Sequence, residues 1–342
     1  MKTPKPIALA MITGFLGAGK TTLLNRILKS PHLAGTAVII NEFGDVSLDH
    51  LLVEQAKDGI VELTGGCLCC TVQGELVDLL LSLAERRPAL DRVIVETTGL
   101  ADPVPLLQSI IAHPALSQLY RTDCVVTVVD AINGSTTLDQ HEEARRQVAL
   151  ADRIVVTKTG LGHDDDRHPL FQRLSVLNES AELLDGRCPL TAETLLSPVF
   201  NGQRMLLDEH SGHHHHAHGD FQSITLRHAA ALPRSAVENF LDLLASQQGE
   251  RILRIKGLAE TVENPAHPLL VQGVQQFLHE PEFLPQWPDD ERGTRLVVIG
   301  RALDLSYIQR LFAAFTGRMA VDTPDRTALE QSPLSIPGFK KF

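Results

Sequence analysis

A chain of 342 residues, 43% hydrophobic and 21% charged, is long enough for two cores and ordinary in composition for a globular protein. Its net charge of −11, with no basic stripe, argues against nucleic acid as a main partner. No stretch approaches the ~20 uninterrupted apolar residues that span a bilayer. No membrane association is therefore expected. The first six residues run straight into an apolar segment, so a secretory signal is not expected and the location reads as cytoplasmic. In that compartment the five cysteines read as metal ligands or free thiols rather than disulfides.

Residues 7–12 form a buried strand by their unbroken apolar character, and residues 22–28 read as helix. Between them Gly14-Phe15-Leu16-Gly17-Ala18-Gly19-Lys20-Thr21 satisfies G-x-x-x-x-G-K-[ST], the strand–loop–helix motif that cradles nucleotide phosphates. Gly14, Gly17, Ala18, Gly19 and Thr22 are expected to line the phosphates, and the helix N-terminus adds partial positive charge. Lys20 reaches the β/γ-phosphates, and the Thr21 hydroxyl ligates Mg²⁺.

Residues 36–40 read as a second strand, followed by Asn41-Glu42-Phe43-Gly44-Asp45. Glu42 emerges at the same sheet edge as Lys20 and is a candidate to orient water or touch a metal; a polar turn is the competing reading. Next comes Gly65-Gly66-Cys67-Leu68-Cys69-Cys70, and the segment 74–87 has helical periodicity. A C-x-C-C run has chance odds on the order of one in a thousand. Three thiolates so close suit one soft or borderline cation, Zn²⁺ above all, if a fourth ligand arrives from elsewhere.

Residues 92–96 form a strand ending in Glu96, with Gly99 three residues on. In phosphate-loop enzymes such a carboxylate lies near Mg²⁺ and such a glycine N–H near the γ-phosphate. A strand ending in a solvated acid is the bland alternative. His113 reads by default as a surface residue. Strands are expected at 124–129 and 153–156, and Thr157-Lys158-Thr159-Gly160 follows the second of these. Nucleotide-binding proteins that read guanine carry [NT]-K-x-D there. Thr157 and Lys158 match, but Gly160 lacks the carboxylate that accepts from guanine N1–H and N2–H. Asp164, Asp165 and Asp166 lie close by, although a solvated acidic loop is the plainer reading. Cys124 and Cys188 read as packing or incidental thiols.

The composition breaks at residues 201–220, where His213, His214, His215, His216 and His218 sit in a stretch too polar to bury a core. Clustered imidazoles give weak, multivalent metal binding rather than one rigid site. Beyond it, strands are expected at 221–226, 251–255, 269–274 and 294–300. Helices are expected at 233–246, with Pro233 in its first turn, and at 305–315. The expected fold is α/β: a phosphate-loop domain with a mostly parallel sheet over 1–200, a histidine-rich linker over 201–220, a smaller α+β domain over 221–323 and a loosely held tail over 324–342.

Taken together, these motifs resemble the CobW-like family of metal-chaperone GTPases, relatives of the hydrogenase and urease nickel-insertion GTPases. The likeness also covers Glu96-Thr97-Thr98-Gly99-Leu100-Ala101-Asp102-Pro103, Val129-Asp130-Ala131, Ala151-Asp152-Arg153, Leu253-Arg254-Ile255-Lys256-Gly257 and Gln272-Gly273-Val274-Gln275. It implies slow GTP hydrolysis coupled to delivery of a transition metal to a client metalloprotein. Zn²⁺ is the first expectation, with Co²⁺ or Ni²⁺ as alternatives, and a metal- or nucleotide-dependent homodimer is conceivable. Under this resemblance Lys20, Glu96, Gly99 and Glu42 are the catalytic candidates, Cys67, Cys69 and Cys70 become candidate ligands, and His113 gains standing as a further donor. A cobalt-handling factor in cobalamin synthesis, or a histidine-rich metal store, are the competing functions. Gly160 departs from the family's usual aspartate, and Ile40 stands where some relatives carry an acid.

Overall fold

The computed structural model describes residues 5–29, 33, 35–41, 60–63, 70–85, 90–161, 164–199 and 221–317. Glu42, Cys67, Cys69, the five clustered histidines and the tail beyond 317 lie outside them.

Seven parallel strands form the first sheet: β1 (Ile7–Gly14), β2 (Thr36–Asn41), β3 (Ile60–Leu63), β4 (Arg92–Glu96), β5 (Tyr120–Asp130), β6 (Arg153–Thr157) and β7 (Glu182–Asp185), in the order β3-β2-β4-β1-β5-β6-β7. Parallel strands need crossovers, and helices supply them: α1 (Lys20–Leu28), α2 (Cys70–Ala84), α3 (Pro103–Ala112), α4 (Leu116–Leu119), α5 (Gly134–Gln140), α6 (Glu142–Leu150), α7 (Asp164–Leu177) and α8 (Ala192–Leu196). The central strands read as continuous apolar runs because both faces are covered. Leu9, Met11, Val93 and Val95 point into the core under α2 and α3, whereas Ala10, Ile12 and Ile94 point into the core under α1 and α8.

The second sheet is antiparallel. It contains β8 (Phe221–His228), β9 (Ile252–Ala259), β10 (Leu269–Val274), β11 (Phe277–Leu278), β12 (Glu282–Phe283) and β13 (Thr294–Arg301), ordered β11-β10-β9-β13-β8 with β12 on β10. Helices α9 (Arg234–Gln248) and α10 (Leu305–Phe315) pack against it through Phe240, Leu244, Ile308 and Phe312. This is the α+β unit expected from the sequence. Pro233 occupies the N-cap of α9 rather than its first turn. The other sheet face joins the first core: Phe221, Leu253, Val274 and Ile299 pack in one cluster with Leu106, Leu107 and Leu150.

Candidate functional site

The carboxyl edge of the parallel sheet collects the chemistry, as strand order dictates for folds of this kind. Between β1 and α1 the chain turns sharply. Gly14 has φ 142°, and a Cβ there would collide with the Val128 carbonyl, so the loop lies too close to β5 for a side chain. Gly19 caps α1 in a left-handed conformation, which leaves the first-turn N–H groups of α1 facing the loop. Lys20 is buried, with Nζ donating to the Phe15 carbonyl at 3.3 Å, and Thr22 is exposed on the first turn.

Thr21 Oγ1 donates to Glu96 Oε1 at 2.7 Å, joining the phosphate loop to the end of β4. Thr97 and Thr13 hydroxyls meet at 2.8 Å just beneath. Gly99 follows, and a Cβ on it would lie 2.5 Å from the Leu16 nitrogen, so a glycine is what lets this loop reach the phosphate loop. Asp102 then caps α3 by accepting from the Val104 N–H at 3.0 Å, with Pro103 at the first helical position.

The loop after β6 braces the phosphate loop from the other side. Thr157 Oγ1 donates to the Ala18 carbonyl at 2.6 Å. Lys158 has φ 56°, which turns its side chain back: Nζ donates to Gly17 O at 2.9 Å and to Asp130 Oδ2 at 2.6 Å. Burial raises the Asp130 carboxyl, but hydrogen bonds from Lys158 and the Ile132 and Asn133 groups outweigh it and hold the group below its ordinary range. The sequence singled out Lys158 but not Asp130 as its partner; an acid ending the strand at 120–130 was the available signal.

The described residues bring together Gly14, Gly17, Ala18, Gly19, Lys20, Thr21, Glu96, Gly99, Thr157 and Lys158 at one edge. A cavity of about 110 Å³ flanks the phosphate loop between Phe15, Ala18, Gly134 and Gln147. It is far smaller than pockets that enclose organic ligands. His113 is elsewhere. It ends α3, which runs from the carboxyl edge back to the start of β5, and its Nδ1 accepts from Ala115 and Leu116 N–H groups at 3.3 Å. Cys70 is the first residue of α2, seven residues past the end of β3. Among the described residues no three His, Cys, Asp or Glu side chains cluster to hold a metal ion.

A further group at this edge escaped the sequence reading. Gln147 on α6 is buried, and its Nε2 donates to the carbonyls of Gly99 at 3.2 Å and Ala101 at 2.9 Å. Arg146 beside it pairs with Asp102 at 2.6 Å. Helix α6 thus holds the loop between β4 and α3 by both its backbone and its cap.

Comparison with known proteins agrees with this geometry. Residues 8–185 match the CobW/HypB/UreG nucleotide-binding domain, and residues 221–316 match the cobalamin synthesis protein cobW C-terminal domain. The chain is 35% identical over 323 residues to the zinc chaperone YjiA of Escherichia coli strain K12, covering 90% of this chain and 98% of that protein. It is 33% identical to the zinc chaperone CobW of Pseudomonas aeruginosa, covering 90% and 91%. The crystal structure of Zn(II)-bound YjiA GTPase from E. coli superposes with a TM-score of 0.62 at 31% identity, covering 91% of this chain and 99% of that one. With both domains matched and the phosphate loop in its expected setting, the chain belongs to the CobW family of nucleotide-binding proteins.

Proposed function

We propose that the protein is a zinc metallochaperone GTPase, which binds GTP, hydrolyses it slowly and uses the cycle to pass zinc to a client metalloprotein in the cytoplasm. The observation that carries this reading is the 2.7 Å contact between Thr21 and Glu96. It ties the phosphate loop to the strand end whose continuation, through Gly99, is gripped by α6. An alcohol and a carboxylate oxygen at this spacing are the hard donors that Mg²⁺ takes, so the residues fit that ion. When bound, Mg²⁺ would be held by Thr21 and Glu96 and would help neutralise charge developing on the β- and γ-phosphate oxygens. Lys20 is assigned the positive charge that meets the same oxygens, and the Gly99 N–H is assigned to the γ-phosphate. Glu42 is assigned to orienting the attacking water.

The cargo is assigned to Cys67, Cys69 and Cys70, with the clustered histidines as weaker capacity. Strand β3, which leads into the cysteine motif, lies three strands from β1 and two from β4. That is roughly 14 Å across the sheet from the phosphate loop, near enough for a loop reordered by the γ-phosphate to change a metal site. The names of the zinc chaperone relatives support zinc as the cargo.

The test measures Zn²⁺, Co²⁺ and Ni²⁺ affinity with a non-hydrolysable GTP analogue and with GDP. Zinc should bind tightest, with affinity differing between the two nucleotide states by about tenfold, within the usual span of coupling energies. Replacing the three motif cysteines by serine should remove the tight site, whereas deleting residues 210–218 should lower only the stoichiometry. Equal affinity in both states would overturn the coupling. Cobalt as the metal that most raises GTP turnover would move the assignment to cobalt handling.

A further inference from the structure

The base end of the nucleotide site departs from the motif that leads to it. Position 160, where a guanine-reading carboxylate is expected, is glycine. An acceptor for guanine N1–H and N2–H therefore has to come from another element at the carboxyl edge, beside the loop that carries Lys158.

Asp185 meets that description. It ends β7, in register with Val156 of β6, so the two strand ends lie side by side. Its Oδ1 accepts from Thr159 Oγ1 at 2.6 Å, the residue immediately before Gly160. The following turn is fastened at both sides: Gly186 N–H donates to Val156 O at 2.7 Å, and Arg26 on α1 donates to Gly186 O at 2.8 Å. A Cβ placed on Gly160 would find Arg187 Cδ at 4.0 Å, so the space an aspartate would use there opens toward the Asp185–Arg187 pair. Among the described residues Oδ2 of Asp185 accepts only from the Arg187 side chain, at 2.8 and 3.1 Å. That side chain is 57% exposed, and ion pairs screened by solvent contribute little, so a ligand can displace it. Burial raises the carboxyl, but the Arg187 and Thr159 hydrogen bonds prevail and bring it down to about 2, so the group is ionised at neutral pH.

We infer that Asp185 supplies the base-reading carboxylate that Gly160 lacks, with Oδ2 accepting guanine N1–H and N2–H once the Arg187 side chain gives way. This rests on the GTPase reading above.

The test is competition of GTP, XTP and ATP against a fluorescent guanine nucleotide on the full chain. The wild type should prefer GTP to both. Asp185→Asn should weaken GTP about ten- to a hundredfold, as loss of hydrogen bonds to a charged acceptor does. The same change should strengthen XTP, whose C2 carbonyl accepts from an amide. Adding Gly160→Asp to Asp185→Asn should restore the preference for GTP, a rescue that a merely unfolded variant would not show. Arg187→Ala alone should keep the GTP-to-XTP ratio. Equal weakening of GTP and XTP by Asp185→Asn would overturn the inference. So would a GTP preference that survives it and disappears on replacing Asp164, Asp165 and Asp166. A wild type that binds no guanine nucleotide would sink the GTPase reading itself.

Discussion

At the scale of single residues the site depends on charges and hydroxyls that have no substitute nearby. Lys20 is buried on the first turn of α1, with its ammonium turned toward the loop carbonyl of Phe15. A triphosphate replaces that weak contact with strong charge-assisted ones. Lys20→Ala should therefore abolish GTP hydrolysis while the thermal unfolding midpoint stays within a few degrees. A phosphate-release assay paired with a melting curve checks both. A folded variant with near-normal turnover would remove Lys20 from the catalytic machinery. Lys20, Thr21 and Glu96 were readable in the sequence because their chemistry is tied to a fixed local spacing. Asp130 stood in the sequence only as part of the Val129-Asp130-Ala131 likeness and not as the partner of Lys158, and Asp185 was not readable as a site residue. Each ends a strand as many acids do, and its partners, Lys158 for one and Thr159 for the other, lie 26 or more residues away.

At the scale of elements, α6 is the part that sequence reasoning passed over. Residues 142–150 look like an ordinary polar surface helix, because Arg145, Arg146 and Gln147 stand together and the apolar residues are few. Only the tertiary packing turns Gln147 inward, where it binds two carbonyls of the Gly99 loop. Strands β3 and β7 were missed for a different reason. At four residues each, both at sheet edges, they are too short for a periodicity to emerge. The central strands, β1, β4 and β5, were legible because burial on both faces forces an unbroken apolar run. Gln147→Leu keeps the volume but strands two buried carbonyls, at about 1–3 kcal/mol each. The Gly99 loop should then lose its fixed position. Turnover at saturating GTP should fall about tenfold while GDP affinity, which does not use the Gly99 N–H, changes less than twofold. Single-turnover hydrolysis and GDP titration separate the two. Arg146→Ala should do less, because its pair with Asp102 is partly solvated.

At the scale of the whole molecule, the two sheets are fastened by a buried ionic cluster as well as by a shared apolar core. Asp152, where α6 hands over to β6, accepts from Arg254 at 2.7 Å and from Lys256 at 2.8 Å, both on β9 of the second sheet. It also accepts the Val125 N–H of β5 at 2.7 Å, and Arg254 reaches the Leu150 carbonyl at the end of α6. The helix that grips the Gly99 loop is thus held at its far end by the second domain, and Arg301 pairs with Glu142 at its near end. Burial alone would raise the Asp152 carboxyl, but the Arg254 and Lys256 charges prevail and hold it below its ordinary value. The sign of the pH dependence follows. An acid whose folded pKa lies below its unfolded value of about 3.9 contributes stability that is complete above that pH and is lost as pH falls toward the folded value. The Asp152→Asn variant keeps the shape but leaves two cations buried without their counter-charge, a change that costs about 3–5 kcal/mol. Denaturant unfolding at pH 7 should show a loss of that size. Below about pH 4 the gap between wild type and variant should narrow, because the unfolded wild-type carboxyl then takes up a proton that the folded one resists until the pH falls to its own lower value. A gap that stays constant down to pH 2 would mean that Asp152 holds the domains by shape and not by charge.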